Sequence, residues 1–142
     1  MAGRGTMAEH LTELIRALLE GETSVLESYS VPVARVLAYL RENFHEALRV
    51  GDLAAQARVS RSHFYRLFRR EVGLSPMQFV CLLRVERSKR LLASRRFNVI
   101  EVWQASGFSD LRSFERAFKR WVSATPKEYQ KSLHAKPSPT EK

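Results

Sequence analysis

Residues 60–70, SRSHFYRLFRR, hold four arginines and three large apolar side chains with little between them. On a helix, which advances about 100° per residue, Phe64, Leu67 and Phe68 fall on one side, and Ser62, Tyr65, Arg66 and Arg69 fall on the other. One face suits burial in a core. The other presents guanidinium groups, whose planar fork of N–H donors grips paired acceptors such as the oxygens of a phosphate. A solvated basic face on an ordinary surface helix would read the same way from these eleven residues alone. The rest of the chain has to separate the two.

The net charge of +9 is unevenly placed. Residues 1–52 carry five Lys/Arg and eight Asp/Glu, whereas residues 53–142 carry nineteen and seven. Such asymmetry points to an anionic partner, either nucleic acid or an anionic membrane. A membrane-surface helix sets its basic face against a free apolar one; here apolar faces recur in several short helices, as a packed core requires. There is no run of about 18 apolar residues that could span a bilayer, and the opening MAGRGTMAEH has no hydrophobic signal region, so the expectation is a cytoplasmic chain without a membrane partner. Cys81 is the single cysteine and His10, His45, His63 and His134 are scattered, which leaves no metal-ligand spacing and no expected cofactor. No nucleophile–base–acid set is visible, so an enzyme is not expected.

The elements that must position the basic face are all helical, because no period-2 strand pattern occurs. Residues 8–20 read as an amphipathic helix with Leu11, Leu14, Ile15, Leu18 and Leu19 on one stripe, stopped by Gly21. Residues 22–30 are polar and read as linker. Pro32 opens a second helix that runs to about Phe44. Asp52 can cap a short helix from Leu53 to about Ala57, and Ser60 can cap the basic helix, which Gly73 ends. Ser75 and Pro76 start a long helix reaching about Ser94. Asn98 precedes a short helix from Val99 to about Ser106, Ser109 or Asp110 opens another to about Val122, and Thr125 and Pro126 start the last. The tail, residues 134–142, reads as disordered.

A repeat organises these helices. At a shift of 50, Phe64 meets Phe114, Arg66 meets Arg116, Phe68 meets Phe118, and Arg69-Arg70 meets Lys119-Arg120. The same shift pairs Ser75-Pro76 with Thr125-Pro126. Upstream the offset is 49, aligning Leu53 with Val102, Val59 with Phe108 and Ser60 with Ser109. Each copy is a short helix, a tight turn and a longer basic helix, the pattern of a helix-turn-helix. Arg66, Arg112 and Arg116 could then grip guanine O6 and N7 or clamp phosphate. Tyr65 and Leu111 are apolar surface that could touch a thymine methyl or simply pack. Glu115 could accept from cytosine N4 or steer Arg112 and Arg116. Arg69, Arg70, Lys119 and Arg120 suit phosphates, which position without specifying. Phe64, Leu67, Phe68, Phe114, Phe118 and Trp121 have the helical spacing of a core rather than of a base-stacking platform.

The pairing of LAAQARVSRSHFYRLFRREVGLSPMQF with VWQASGFSDLRSFERAFKRWVSATPKEY resembles the AraC/XylS family of bacterial transcription regulators over about residues 31–133. GFSDLRSFERAFKR followed by TPKEY is the most specific part. The resemblance implies an all-α fold: a first helix-turn-helix at about 50–74, a linker helix at about 76–94, and a second helix-turn-helix at about 98–123. It also implies a sequence-specific regulator of double-stranded DNA, an activator touching RNA polymerase, with Ser62, Tyr65 and Arg66 facing one major groove and Leu111, Arg112, Glu115 and Arg116 the next. Three positions depart from the family pattern. Arg58 stands where the first turn usually has glycine, Trp103 where a small residue usually packs, and Ser123 where Gly73 stands in the first copy. The helix at 8–20 has two readings, a homodimer element or a segment folded on its own domain, and the roughly 30 residues before the domain leave no room for a ligand-binding barrel. The rival function is a basic helical adaptor for RNA or an acidic protein; A-form major grooves would not admit these helices.

Overall fold

A computed structural model describes residues 7–135, and every regular element among them is helical. In order these are α1 (Met7–Leu19), a 3-10 turn (Ser24–Ser28), α2 (Val31–Asn43), α3 (Val50–Ala57), α4 (Arg61–Val72), α5 (Pro76–Ala93), α6 (Val99–Ser106), α7 (Leu111–Val122) and α8 (Pro126–Ala135). Prolines stand in the first turn of α2, α5 and α8, where the missing N–H breaks no helical bond. Gly73 and Gly107 close α4 and α6 at φ 98° and 99°, a left-handed conformation that glycine adopts without steric cost. The chain divides into two compact units, one up to Leu83 and the other from Arg84.

In the first unit α2 packs on α1, α3 and α4. Val33, Val36, Leu37 and Leu40 line its inner face, and Leu53, Phe64 and Phe68 fill the space opposite. The Phe64, Phe68 and Phe79 rings follow one another at 5.5 and 5.7 Å. Glu71 of α4 accepts from Ser30 N at 2.9 Å, which ties the start of α2 to the end of α4. Burial, and then the charge of Glu71, push the Tyr29 phenol up to about 12. The middle of the leucine stripe of α1 is covered by this same unit, with Leu11 and Leu19 half-buried at its edges: Leu14 and Leu18 are 0% and 2% exposed, a burial that stabilises by about 1.5–3 kcal/mol per side chain. Arg41 reaches Gly21 O at 3.4 Å and Tyr29 Oη lies 2.9 Å from His10 Nε2, so α1 is bound to its own domain at both ends.

The second unit is thinner. Its buried apolar side chains are Val85, Leu92, Val102, Phe114, Ala117 and Phe118. Phe118 stacks edge-on against Tyr129 of α8 at 5.5 Å. Arg84, itself buried, lies over the Phe108 ring at 5.6 Å and braces the turn between α6 and α7. Trp103 is half-buried where the first copy has the buried Ala54. The indole N–H groups of Trp103 and Trp121 are buried with no acceptor among the described residues.

Four details differ from the sequence reading. Residues 22–30 are not plain linker, because the 3-10 turn buries Leu26; one apolar residue in a polar stretch gives no periodicity to detect. Asp52 is not the residue before its helix: α3 starts at Val50, and Asp52 in its first turn accepts from Arg49 N at 2.9 Å. A carboxylate there serves the same helix end from inside. The partner of Ser60 in the repeat is Asp110 rather than Ser109, since both cap their helices. The extra residue of the second copy therefore lies within the turn. Finally, His134 and Ala135 belong to α8, while residues 136–142 lie outside the described residues.

The substituted turn positions keep the backbone that glycine would give. Arg58 closes α3 at φ 63°, ψ 37°, and Ser123 closes α7 at φ 66°, ψ 24°. Each costs about 1 kcal/mol relative to a glycine. The first turn is strained rather than displaced.

Candidate nucleic-acid interface

Each recognition-type helix is started by a side-chain cap and aimed by an aromatic core. Ser60 Oγ accepts from His63 N at 3.2 Å at the head of α4. Asp110 Oδ1 accepts from Ser113 N at 2.7 Å at the head of α7. That backbone hydrogen bond holds the Asp110 carboxyl below the usual carboxylate range, and the nearby charge of Arg116 adds to it. With Phe64, Leu67 and Phe68 inward on α4, the helical period turns Ser62, Tyr65, Arg66 and Arg69 outward. All four are exposed, Tyr65 at 42%. An aromatic ring that far out on an otherwise polar face is surface, not core. With Phe114, Ala117 and Phe118 inward on α7, Arg112, Glu115, Arg116, Lys119 and Arg120 are likewise exposed.

Leu111 is placed differently from the rest. It is half-buried and, with Glu115, lines an open groove of about 600 Å³ whose other walls are Val99 and Ile100 of α6 and Lys127 and Gln130 of α8. On α7 these two side chains point about 100° away from Arg112 and Arg116. The four residues expected to act together thus divide into an apolar–acidic pair beside the groove and an arginine pair beyond it. Arg120 lies over the Trp121 ring at 5.3 Å, which restrains its guanidinium near the C-terminal end of α7 without consuming its charge. Arg69 and Arg70, and Lys119 and Arg120, stand in the last turns of the two helices, where cations also complement the helix dipole.

One member of the basic surface has no signature in the sequence. Arg61 opens α4, and its guanidinium lies over the first turn of α3; a β-carbon on Gly51 would stand 2.8 Å from Arg61 Nη2. The helical wheel of α4 alone gives no hint that a glycine ten residues earlier leaves the room this arginine occupies. Among the described residues no group of three or more potential metal ligands is present, and no helix is long and apolar enough to cross a membrane. The exposed basic faces of α4 and α7 each lie on the outward side of an aromatic core.

Comparison with known proteins gives that surface a context. A family described as "Helix-turn-helix domain" matches residues 53–132. The Msm operon regulatory protein of Streptococcus mutans is 29% identical over 127 residues, 89% of this chain and 45% of that protein. The chain spans less than half the length of the curated relatives it matches. The DNA-binding domain of AdpA, a global transcriptional factor solved in complex with a target DNA, is 35% identical; the match covers 75% of this chain and 96% of that one with a TM-score of 0.71. A transcriptional regulator from Chromobacterium violaceum, with an AraC-type DNA-binding domain, matches 75% of this chain and 95% of its own at 26% identity and a TM-score of 0.66.

Proposed function

The chain belongs to the AraC/XylS family of DNA-binding, helix-turn-helix transcription regulators, and from that premise we propose that its two copies bind one asymmetric duplex site, α4 in one major groove and α7 in the next. The observation that carries this reading is the repeat itself. Two capped helices of twelve residues each present an arginine-rich outward face.

In this reading the phosphates supply affinity through counterion release, by way of Arg69, Lys119 and Arg120. Sequence is read by Ser62, Tyr65 and Arg66 in one half-site and by Arg112 and Arg116 in the other, with Leu111 and Glu115 at the flank. Arginine pairs favour guanine edges. A cytoplasmic location and contact with RNA polymerase, as an activator requires, follow from the same reading. A homodimer through residues 8–20 would have to use the rest of α1, because Leu14, Ile15 and Leu18 lie inside the first unit.

Selection from random duplex DNA tests the proposal. The expected product is a motif of two unlike halves about 10 base pairs apart. Inserting five base pairs between them turns one groove to the far side, and affinity should fall to that of a single unit. Selection of structured RNA over duplex DNA would favour the adaptor function instead.

A further inference from the structure

Among the described residues, three that are not glycine take a left-handed backbone: Arg58, Arg95 and Ser123. All three follow a helix end, a place that glycine fills at lower cost. Ser123 is small, and its side chain asks little of the turn. Arg95 accounts for its own strain, because its Nη2 donates to Leu133 O at 3.3 Å and fastens the segment after α5 to the last turn of α8. Arg58 has no such return. It is exposed, and its guanidinium makes no hydrogen bond or ion pair with any described residue.

Nor does the helix end require this charge. Arg35 Nη1 already donates to Ala57 O at 3.4 Å, placing a cation at the C-terminal end of α3, where the helix dipole favours one. The internal repeat supplies the alternative: the matching position in the second copy is Gly107 at φ 99°, and both residues occupy the same left-handed closing position. The chain thus holds a strained, unpaired arginine where its own second copy shows that glycine suffices.

The location suggests what that arginine does. Arg58 stands two residues before Ser60, the cap of α4. The N-terminal residues of a recognition helix are the ones that approach base edges, and phosphates border that groove on either side. We propose that Arg58 is an additional DNA-binding residue, its guanidinium meeting a backbone phosphate beside the groove that α4 enters. The proposal rests on the reading of α4 as a DNA-binding helix, and it makes the first turn a contact that the second lacks.

The test is equilibrium binding of the full chain to mixed-sequence duplex DNA over a salt series, with thermal melts of each variant. Arg58→Gly and Arg58→Asn both keep the turn, since asparagine also tolerates the left-handed region. Each should weaken binding about three- to tenfold at low salt and lower the salt slope by about 0.9, the equivalent of one phosphate contact. Arg58→Gly should melt no earlier than the parent. Ser123→Gly relieves strain at a helix end away from this turn and should leave binding unchanged. If both Arg58 variants bind with the parent's affinity and slope while Arg69→Ala binds more weakly, Arg58 is not a contact and the proposal is overturned. If Arg69→Ala also binds like the parent, the assignment of α4 to DNA fails with it.

Discussion

The two helix-turn-helix copies share their helix lengths, their phenylalanine pairs and their proline-started following helix, yet they are supported and charged differently. α4 is held by α2 and α3 in a unit that buries about three times as many apolar side chains as the one around α7. α7 has α6 and α8 for neighbours. The caps differ in charge as well: neutral Ser60 leaves the positive end of the α4 dipole available, whereas Asp110 fills that of α7 with a carboxylate. Glu115 adds a second carboxylate to the outward side of α7. Duplication thus preserved what aims a helix, while support and electrostatics diverged. On the proposed DNA complex, the carboxylates of Asp110 and Glu115 would penalise badly placed phosphates at the second copy, a penalty that Ser60 and Tyr65 do not impose at the first.

Removing one core ring from each copy gives the largest expected effect. Phe68→Ala and Phe118→Ala each delete a fully buried side chain and should cost about 3–5 kcal/mol. Because the units are separate clusters, Phe118→Ala should strip amide-exchange protection from residues 98–135 while residues 31–72 stay protected. Uniform loss of protection along the chain would mean that the copies share one cooperative core, and the contrast between them would collapse.

Next come the groove residues, whose predicted losses are about 1–3 kcal/mol on the preferred site. Arg66→Ala should relax preference in one half of the site and Arg112→Ala in the other, each with a smaller effect on random DNA. Arg120→Ala should weaken all sequences alike and reduce the salt slope. Competition binding to single-base variants of the selected site reads these out half by half. Equal losses on selected and random DNA for Arg66 or Arg112 would move that residue to the phosphate class.

Helix boundaries and the outward basic faces were legible because their signals are local. Ser60, Asn98 and the glycines at 73 and 107 mark ends by their own chemistry, and Phe64, Leu67 and Phe68 show the 3.6-residue period directly. What stayed hidden depends on contacts across the fold. The covering of the α1 stripe by α2 cannot be read from α1, whose leucines would serve a dimer equally well. The seating of Arg61 over Gly51 needs two helices at a known angle. Leu111 reads as outward on the wheel of α7, and only the approach of α6 and α8 makes it one wall of a groove. The position of the extra residue in the second turn was ambiguous for a simpler reason: Ser109 and Asp110 are both good caps, and sequence alone does not choose between neighbours.

The caps provide a smaller test with an internal control. Ser60→Ala should cost about 1 kcal/mol, with no pH dependence of its own. Asp110 behaves otherwise. Its folded carboxyl titrates below the ordinary value because Ser113 N–H bonds the charged form. Its contribution is therefore present above the unfolded carboxylate pKa and is lost as pH falls through the lowered folded one. Melting curves from neutral to acid pH should show α7 weakening more in the parent than in Asp110→Asn, with α4 unaffected by that substitution. The same acid sensitivity in both chains would remove Asp110 as the source.

The smallest expected effect lies at the far ends of the two recognition helices. Gly73 and Ser123 close them at φ 98° and 66°, and each donates its N–H to a carbonyl four residues back at 2.9 Å. The hydrogen bonding is equivalent, so only the β-carbon distinguishes the positions. Ser123→Gly removes left-handed strain of about 1 kcal/mol but gives the unfolded chain more freedom, which offsets about 0.4–1 kcal/mol. The net gain should be a few tenths of a kcal/mol. The reverse exchange, Gly73→Ser, incurs the strain and recovers the same entropy, so its net cost should be equally small. Two small shifts of opposite sign, read as amide-exchange protection in α7 for one variant and α4 for the other, would show that strain narrowly exceeds chain entropy at this position. If Ser123→Gly instead lowers protection in α7, chain entropy outweighs strain, and the missing glycine does not weaken the second copy.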